Sequence, residues 1–283
     1  MKTLVAVFLA VPALLSAQTA PWDSIAHLLQ APMAVAGDFH RYNLPRSDLT
    51  VRLGDVTVAP GLALGSWAAF GAFGSDSIVL GDLVLTGSEL GPVLRELAAD
   101  GITVTAIHNH LAAEEPSLRF AHYWGTGSPL DLAEKLRRVF ALTATPLPVR
   151  SNSPAPPVLD TALIFRTLGG SGRANGPLVL MSFNLVPGGV TIRGSAVPPV
   201  AYSSPVNFQS ITPARVVAYG DFAVPGGSVP GIVAALARPG MTATAMHSHL
   251  VGESPTLTYI HFWGDGRLED LLGTLRAALD AAR

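Results

Sequence analysis

The chain has 283 residues, no cysteine, a formal net charge of −2 and an isoelectric point near 6.4. That balance leaves no basic footprint for nucleic acid. The missing thiols exclude disulfides, thiolate metal ligands, a cysteine nucleophile and a lipid-modified cysteine. Hydrophobic residues make up 49% and the mean hydropathy is +0.40, yet no apolar run reaches the roughly 18 residues that a membrane span needs.

In chain order, Lys2 precedes an apolar run from Leu4 to Leu15 and then Ser16-Ala17-Gln18. This pattern predicts a signal peptide over 1–17, cut near Ala17, and a secreted or periplasmic mature chain. A short helix is expected from Asp23, with Asp23 as its cap. β-prone segments follow at Asp48 to Leu53, Val56 to Ala59, Leu64 to Phe70 and Ile78 to Thr86, the last containing Gly81-Asp82. Leu90, Val93, Leu94 and Leu97 then lie on one helical face, and Gly101 is placed to end that helix. From Ile102 to His110 the residues alternate as in a strand, which puts His108 and His110 on one face. After a loop, Leu118, Phe120, His122 and Trp124 form the like face of a second strand, so a hairpin would bring His122 beside the H-x-H pair. A closing helix begins near Ser128-Pro129 and turns Leu132, Leu136, Val139 and Phe140 inward.

Past a proline-rich linker, 145–158, the whole series recurs. Gly240 to Arg276 repeats Gly101 to Arg137 in register, with about half the positions identical. The sequence therefore predicts an α+β fold of two homologous repeats, 18–144 and 159–283, each with helices flanking a histidine-bearing hairpin. Each repeat would expose an apolar sheet face alone, so the two are expected to pack about a pseudo-twofold axis.

The shared frame is H-x-H-x3-E-x-P-x5-H-x-W-G. It supplies His108, His110, Glu114 and His122 in the first repeat, and His247, His249, Glu253 and His261 in the second. Three imidazoles and a carboxylate per repeat suit Zn, Mn, Fe or Ni, with a coordination position open to water or substrate. Two other readings remain: a metal-free polar pocket for a small ligand, and a purely structural hydrogen-bond network. The cupin motif H-x-H-x3-4-E is partly similar, but the short step to His122 and the interrupting helices argue against a cupin fold. Glu115 or a metal-bound water is the candidate base for metal-assisted hydrolysis or another reaction of a small polar substrate, although the second repeat has Ser254 in place of Glu115.

Other residues carry weaker signals. Asp82 and Asp221 are candidates to orient a ligand histidine from behind. Trp124 and Trp263 could wall a pocket, and Arg46 could hold an anion. No nucleophile elbow, phosphate loop or dinucleotide fingerprint is present.

Gly81-Asp-Leu-Val-Leu-Thr86, Thr103 to Leu111, Glu114-x-Pro116 and His122-x-Trp-Gly resemble the LppY/LpqO family, as do Pro45 to Leu49 and Leu64 to Phe70. The resemblance covers nearly the whole mature chain and implies a bacterial envelope setting. It implies no reaction, and without a lipobox cysteine it implies no lipid anchor. The expected function is an exported divalent-metal or small-ligand protein, either hydrolytic, a non-catalytic binding module, or a structural repeat protein. Oligomeric state is left open.

Overall fold

The computed structural model describes residues 21–150 and 153–283, so the expected signal peptide lies outside the described residues. Repeat one runs α1 (Trp22–Leu29), β1 (Met33–Ala36), β2 (Phe39–Pro45), β3 (Val51–Leu53), β4 (Val56–Val58), α2 (Pro60–Ala63), β5 (Gly65–Phe73), β6 (Asp76–Thr86), α3 (Gly87–Ala99), β7 (Thr103–His108), β8 (Leu118–Gly127) and α4 (Pro129–Phe140). Repeat two runs α5 (Thr161–Leu168), β9 (Gly172–Asn175), β10 (Leu178–Phe183), β11 (Thr191–Ile192), β12 (Ser195–Ala196), β13 (Ser204–Thr212), β14 (Arg215–Pro225), α6 (Val229–Leu236), β15 (Met241–His247), β16 (Glu253–Ser254), β17 (Leu257–Gly266) and α7 (Leu268–Ala281). The described residues between α4 and α5 form no helix or strand.

The two repeats build the same six-stranded antiparallel sheet, ordered β1-β2-β5-β6-β8-β7 and β9-β10-β13-β14-β17-β15. The fold is α+β in two repeats. Each sheet carries its helices on one face. In repeat one, Val79, Leu83, Leu85, Ala121 and Tyr123 meet Val93 and Leu97 of α3 and Leu132, Leu136 and Phe140 of α4 in one apolar cluster. Repeat two matches it with Phe222, Val224, Ile260 and Phe262 against α5, α6 and α7.

The opposite faces of the sheets pack on each other, because alternation leaves a second apolar set there. Val84, Leu111, Leu118 and Phe120 join Val217, Tyr219 and Trp263 across the junction. Their symmetry mates Ala223, Leu250, Leu257 and Tyr259 join Ile78 and Leu80 in the same way, with Trp124 packed against them. Each repeat also sends an insertion over the other. The β3–β4 hairpin and α2 complete the first of these clusters, and Val186, Val190, Ile192 and Tyr202 complete the second. Trp124 and Trp263 thus reinforce the junction. Trp124 packs on Phe73 and under the Arg193 guanidinium rather than walling a pocket.

The helix caps differ in detail from the sequence expectation. Asp23 sits in the first turn of α1, whose N-cap is Pro21, whereas Asp160 does cap α5 by accepting from Leu163 N at 2.8 Å. Gly101 has φ +71° just past α3, where a left-handed residue ends a helix.

Candidate metal centre

The strand that carries the H-x-H pair does not alternate cleanly. Val104 lies opposite Tyr123 on the helix side, but the register then slips, and Ala106 lies opposite His122 and His108 opposite Phe120 on the junction side. The second repeat slips at the same place, between Ala243 and Ala245. This bulge corrects the expectation that Ile102, Val104 and His108 share a face. One extra residue re-aims the histidines from the helix layer toward the other sheet.

β7 and β15 are the edge strands of their sheets, and they meet at the axis. Thr105 Oγ1 donates to the carbonyl of His249 at 2.6 Å, and Thr244 Oγ1 donates to the carbonyl of His110, also at 2.6 Å. These reciprocal bonds draw the two histidine sets into one place. The ring centroids of His108 and His247 are 3.9 Å apart, those of His122 and His249 3.7 Å, and those of His110 and His261 4.3 Å. The sequence reading of two separate pockets, one per repeat, therefore gives way to a single centre of six imidazoles.

Two overlapping donor sets emerge. One is Asp82, His108, His110 and His122, and the other is His108, His247, His249 and His261; within each, one ligand atom per residue lies within 4.8 Å of every other. These buried clusters could hold a metal ion. Two imidazoles held about 2.0–2.1 Å from one tetrahedral ion stand about 3.3–3.4 Å apart. His249 Nε2 and His261 Nε2 are 3.4 Å apart.

Glu114 and Glu253 do not join either set. Glu114 is buried but accepts from Leu118 N at 2.9 Å, and Glu253 accepts from Leu257 N at 3.2 Å, so each braces the loop that leads back into its strand. The carboxylate at the centre is instead Asp82, whose Oδ2 lies 3.5 Å from His110 Nε2 and 3.7 Å from His122 Nε2. Asp221 Oδ2 lies 3.8 Å from His261 Nδ1. The sequence clue to Asp82 was its glycine partner. A Cβ on Gly81 would collide with the Trp67 carbonyl and the Tyr123 ring, and one on Gly220 with the Pro205 carbonyl. Only glycine lets these central strands close up beside the aspartates.

Glu115 is exposed, its main chain paired with Arg52 on the outer loop, and it does not line the cleft that reaches the histidines. Arg46 is fully buried but saturated. It donates to both oxygens of Asp48, to both oxygens of Glu89 and to the Val84 carbonyl, fastening the end of β2 to the start of α3. Neither residue keeps the role the sequence reading gave it. Tyr219, which that reading passed over, touches the centre directly: its hydroxyl is 2.6 Å from His110 Nδ1.

Burial sets the charge state. His122 is pushed down to about 3 and His247 to about 4 by burial, and His108, His110, His249 and His261 are lowered further by burial and by one another. All six are neutral imidazoles at physiological pH, the form that binds metal. Burial also raises Asp221 to about 8, and it raises Asp82 well above the carboxylate range with help from Asp221. Nine of the ten buried side-chain polar atoms without a hydrogen-bond partner, among the described residues, belong to Asp82, Asp221, His108, His110, His122, His247 and His261. Even at about 1 kcal/mol each, nine such atoms approach the net stability of a whole domain, about 5–15 kcal/mol.

A cleft of about 920 Å³ opens onto this centre, reaching Asp82, His110, His122, Tyr219, Asp221 and His249.

The molecule is thus a two-repeat α+β protein folded around a shared histidine and aspartate cluster. The chain belongs to the family described as Domain of Unknown Function (DUF1259), whose profile matches residues 23–142 and again residues 162–281, once per repeat. No curated protein matches the sequence. Among solved structures the chain is similar to EtuB from Clostridium kluyveri, at 13% identity over 89% of this chain and 90% of that chain, with a TM-score of 0.22.

Proposed function

We propose that the protein binds a divalent transition metal at the junction of its repeats, through His108, His110, His122, His247, His249 and His261 with Asp82. The observation that carries this reading is the convergence of Asp82 and six imidazoles in two overlapping donor sets, eight of whose buried side-chain atoms have no hydrogen-bond partner. A metal-free structural network would have paired those atoms with one another or with main chain. A cation offers lone pairs a partner and reverses the penalty on both aspartates. Nitrogen and carboxylate donors without sulfur favour Zn, Mn, Fe or Ni.

We further propose an envelope setting, on the apolar run at Leu4 to Leu15 and the resemblance to LppY/LpqO proteins. No helix among the described residues is long and apolar enough to cross a membrane. The cleft supports metal-assisted chemistry on a small polar substrate, hydrolysis being the simplest, over a sealed structural metal.

Elemental analysis of protein purified without an affinity tag tests the core of this reading. The expected result is at least one equivalent of a single transition metal per chain, lost in the His108→Ala/His247→Ala double variant. Trace metal in the wild type, or unchanged metal in the variant, overturns it.

A further inference from the structure

The cleft carries a second set of residues that metal binding does not use. Arg41, on β2, lines it with its guanidinium 4.3 Å above the Trp67 ring, and its Nε donates to Asn43 Oδ1 at 2.9 Å. The two terminal nitrogens of that guanidinium have no hydrogen-bond partner among the described residues, and no carboxylate pairs with it. Arg46, four positions further on than Asn43's neighbour Tyr42, shows what this fold does with a buried arginine that serves structure: it gives it two carboxylates and a carbonyl. Arg41 has been left with a neutral amide and an aromatic face.

Arg173, on β9 of the other repeat, lines the same cleft and is near enough for its charge to act on Arg41. Burial together with that like charge lowers Arg41 to about 10. Asp82 attracts Arg41 less than Arg173 repels it and forms no ion pair with it among the described residues, so the two guanidinium groups form an unfavourable arrangement that an anion would relieve.

We propose that the cleft binds a small oxyanion-bearing ligand, a carboxylate or a phosphate, gripped at its mouth by Arg41 and Arg173 while the rest of the molecule extends toward the histidines. This names the substrate class of the site described above and rests on that reading for the role of the centre. Arg41 is the stronger contact, because stacking on Trp67 and the bond to Asn43 hold its fork in place before the ligand arrives. Arg173 is exposed and adds attraction rather than geometry.

Isothermal titration of the purified chain with inorganic phosphate and, separately, with succinate tests the proposal and tells the two oxyanions apart. At least one should bind with a dissociation constant of about 1 mM or better. Losing a charge-assisted pair should weaken it about tenfold or more in Arg41→Gln, and Arg173→Gln should weaken it by about threefold. Arg41→Lys should recover only part of the loss, because an ammonium lacks the fork. If neither anion binds, or if both glutamine variants bind as the wild type does, the proposal is overturned. Metal content of the same samples should not change in either variant. Arginine-dependent anion binding by a chain without metal would sink the metal reading alone, and a metal-loaded chain indifferent to both anions would sink this one alone.

Discussion

The two halves of the centre share their histidines but not what stands behind them. In repeat one, Asp82 faces the Nε2 atoms of two histidines and belongs to a donor set drawn entirely from that repeat. In repeat two, Asp221 faces the Nδ1 side of His261, whose Nε2 points at His249, and the donor set is completed by His108 from the other repeat. Tyr219 beside His110 has Leu80 as its counterpart, and exposed Asn109 has Ser248. The duplication has preserved the imidazoles while letting their surroundings diverge. Equal ligands in unequal shells bind metal unequally, so repeat one should hold the tighter half of the centre.

The largest effect should separate His108 from its symmetry mate. His108 enters both donor sets and His247 only one. His108→Ala should lower metal affinity by more than about 100-fold, beyond the 10–100-fold typical of changes one shell further out. His247→Ala leaves Asp82, His108, His110 and His122 in place and should keep about half of the bound metal. Competition against a chelator of known affinity measures both. Equal loss in the two variants would mean that the halves act as one symmetric site.

The aspartates give the next largest difference. Asp82→Asn removes a donor, and Asp221→Asn removes only the group that orients His261, so the first should cost more affinity than the second. The metal-stripped proteins should respond the other way in stability. A carboxyl whose folded pKa is raised, to about 8 for Asp221, keeps its proton when folded and loses it near pH 4 when unfolded. The folded state therefore binds more protons above pH 4, and stability falls as pH rises from there through 8. Asparagine has no proton to lose, so each variant should melt at a higher temperature than the stripped wild type at pH 8, with the gap closing toward pH 4. Thermal melts in excess chelator at the two pH values check this. A lower melting temperature for Asp221→Asn at pH 8 would show that the carboxylate is stabilised by groups other than a metal.

This asymmetry was only partly legible in the chain. The hairpin, the closing helices and the convergence of each H-x-H pair with its third histidine follow from periodicity, which is strong wherever one face is buried. The strands β1, β2, β9 and β13 escaped the reading because their patterns are short or mixed, as in Phe39-His-Arg-Tyr-Asn-Leu-Pro45. The bulges at Thr105 and Thr244 escaped it as well, since a one-residue slip leaves no mark in composition. Glu114 was favoured over Asp82 because spacing along a strand and loop measures nearness in sequence. Asp82 reaches the histidines across β6 and β8, lying opposite His122 in the register. That is a long-range contact, which only the folded sheet reveals.

The smallest expected effect belongs to Tyr219, and it tests whether the divergence is functional or merely tolerated. Its hydroxyl and His110 Nδ1 are 2.6 Å apart, and His110 Nε2 faces Asp82. A metal on Nε2 requires the ring proton on Nδ1, where it can be donated to the tyrosine oxygen. Without metal, the hydroxyl can donate to Nδ1 while Nε2–H points at the carboxyl. The tyrosine thus serves either tautomer and holds the ring plane in both. His249, the mate of His110, stacks on Tyr259 with centroids 3.6 Å apart, and the hydroxyl of Tyr259 is committed to the Ala201 carbonyl. Tyr219→Phe should therefore weaken metal binding about fivefold, the equivalent of one net hydrogen bond of about 1 kcal/mol. The fold should be unchanged, and imidazole nitrogen resonances should show a shifted tautomer balance at His110 alone. Unaltered affinity with unaltered resonances would reduce Tyr219 to packing between the sheets, and the tighter half of the centre would then rest on Asp82 alone.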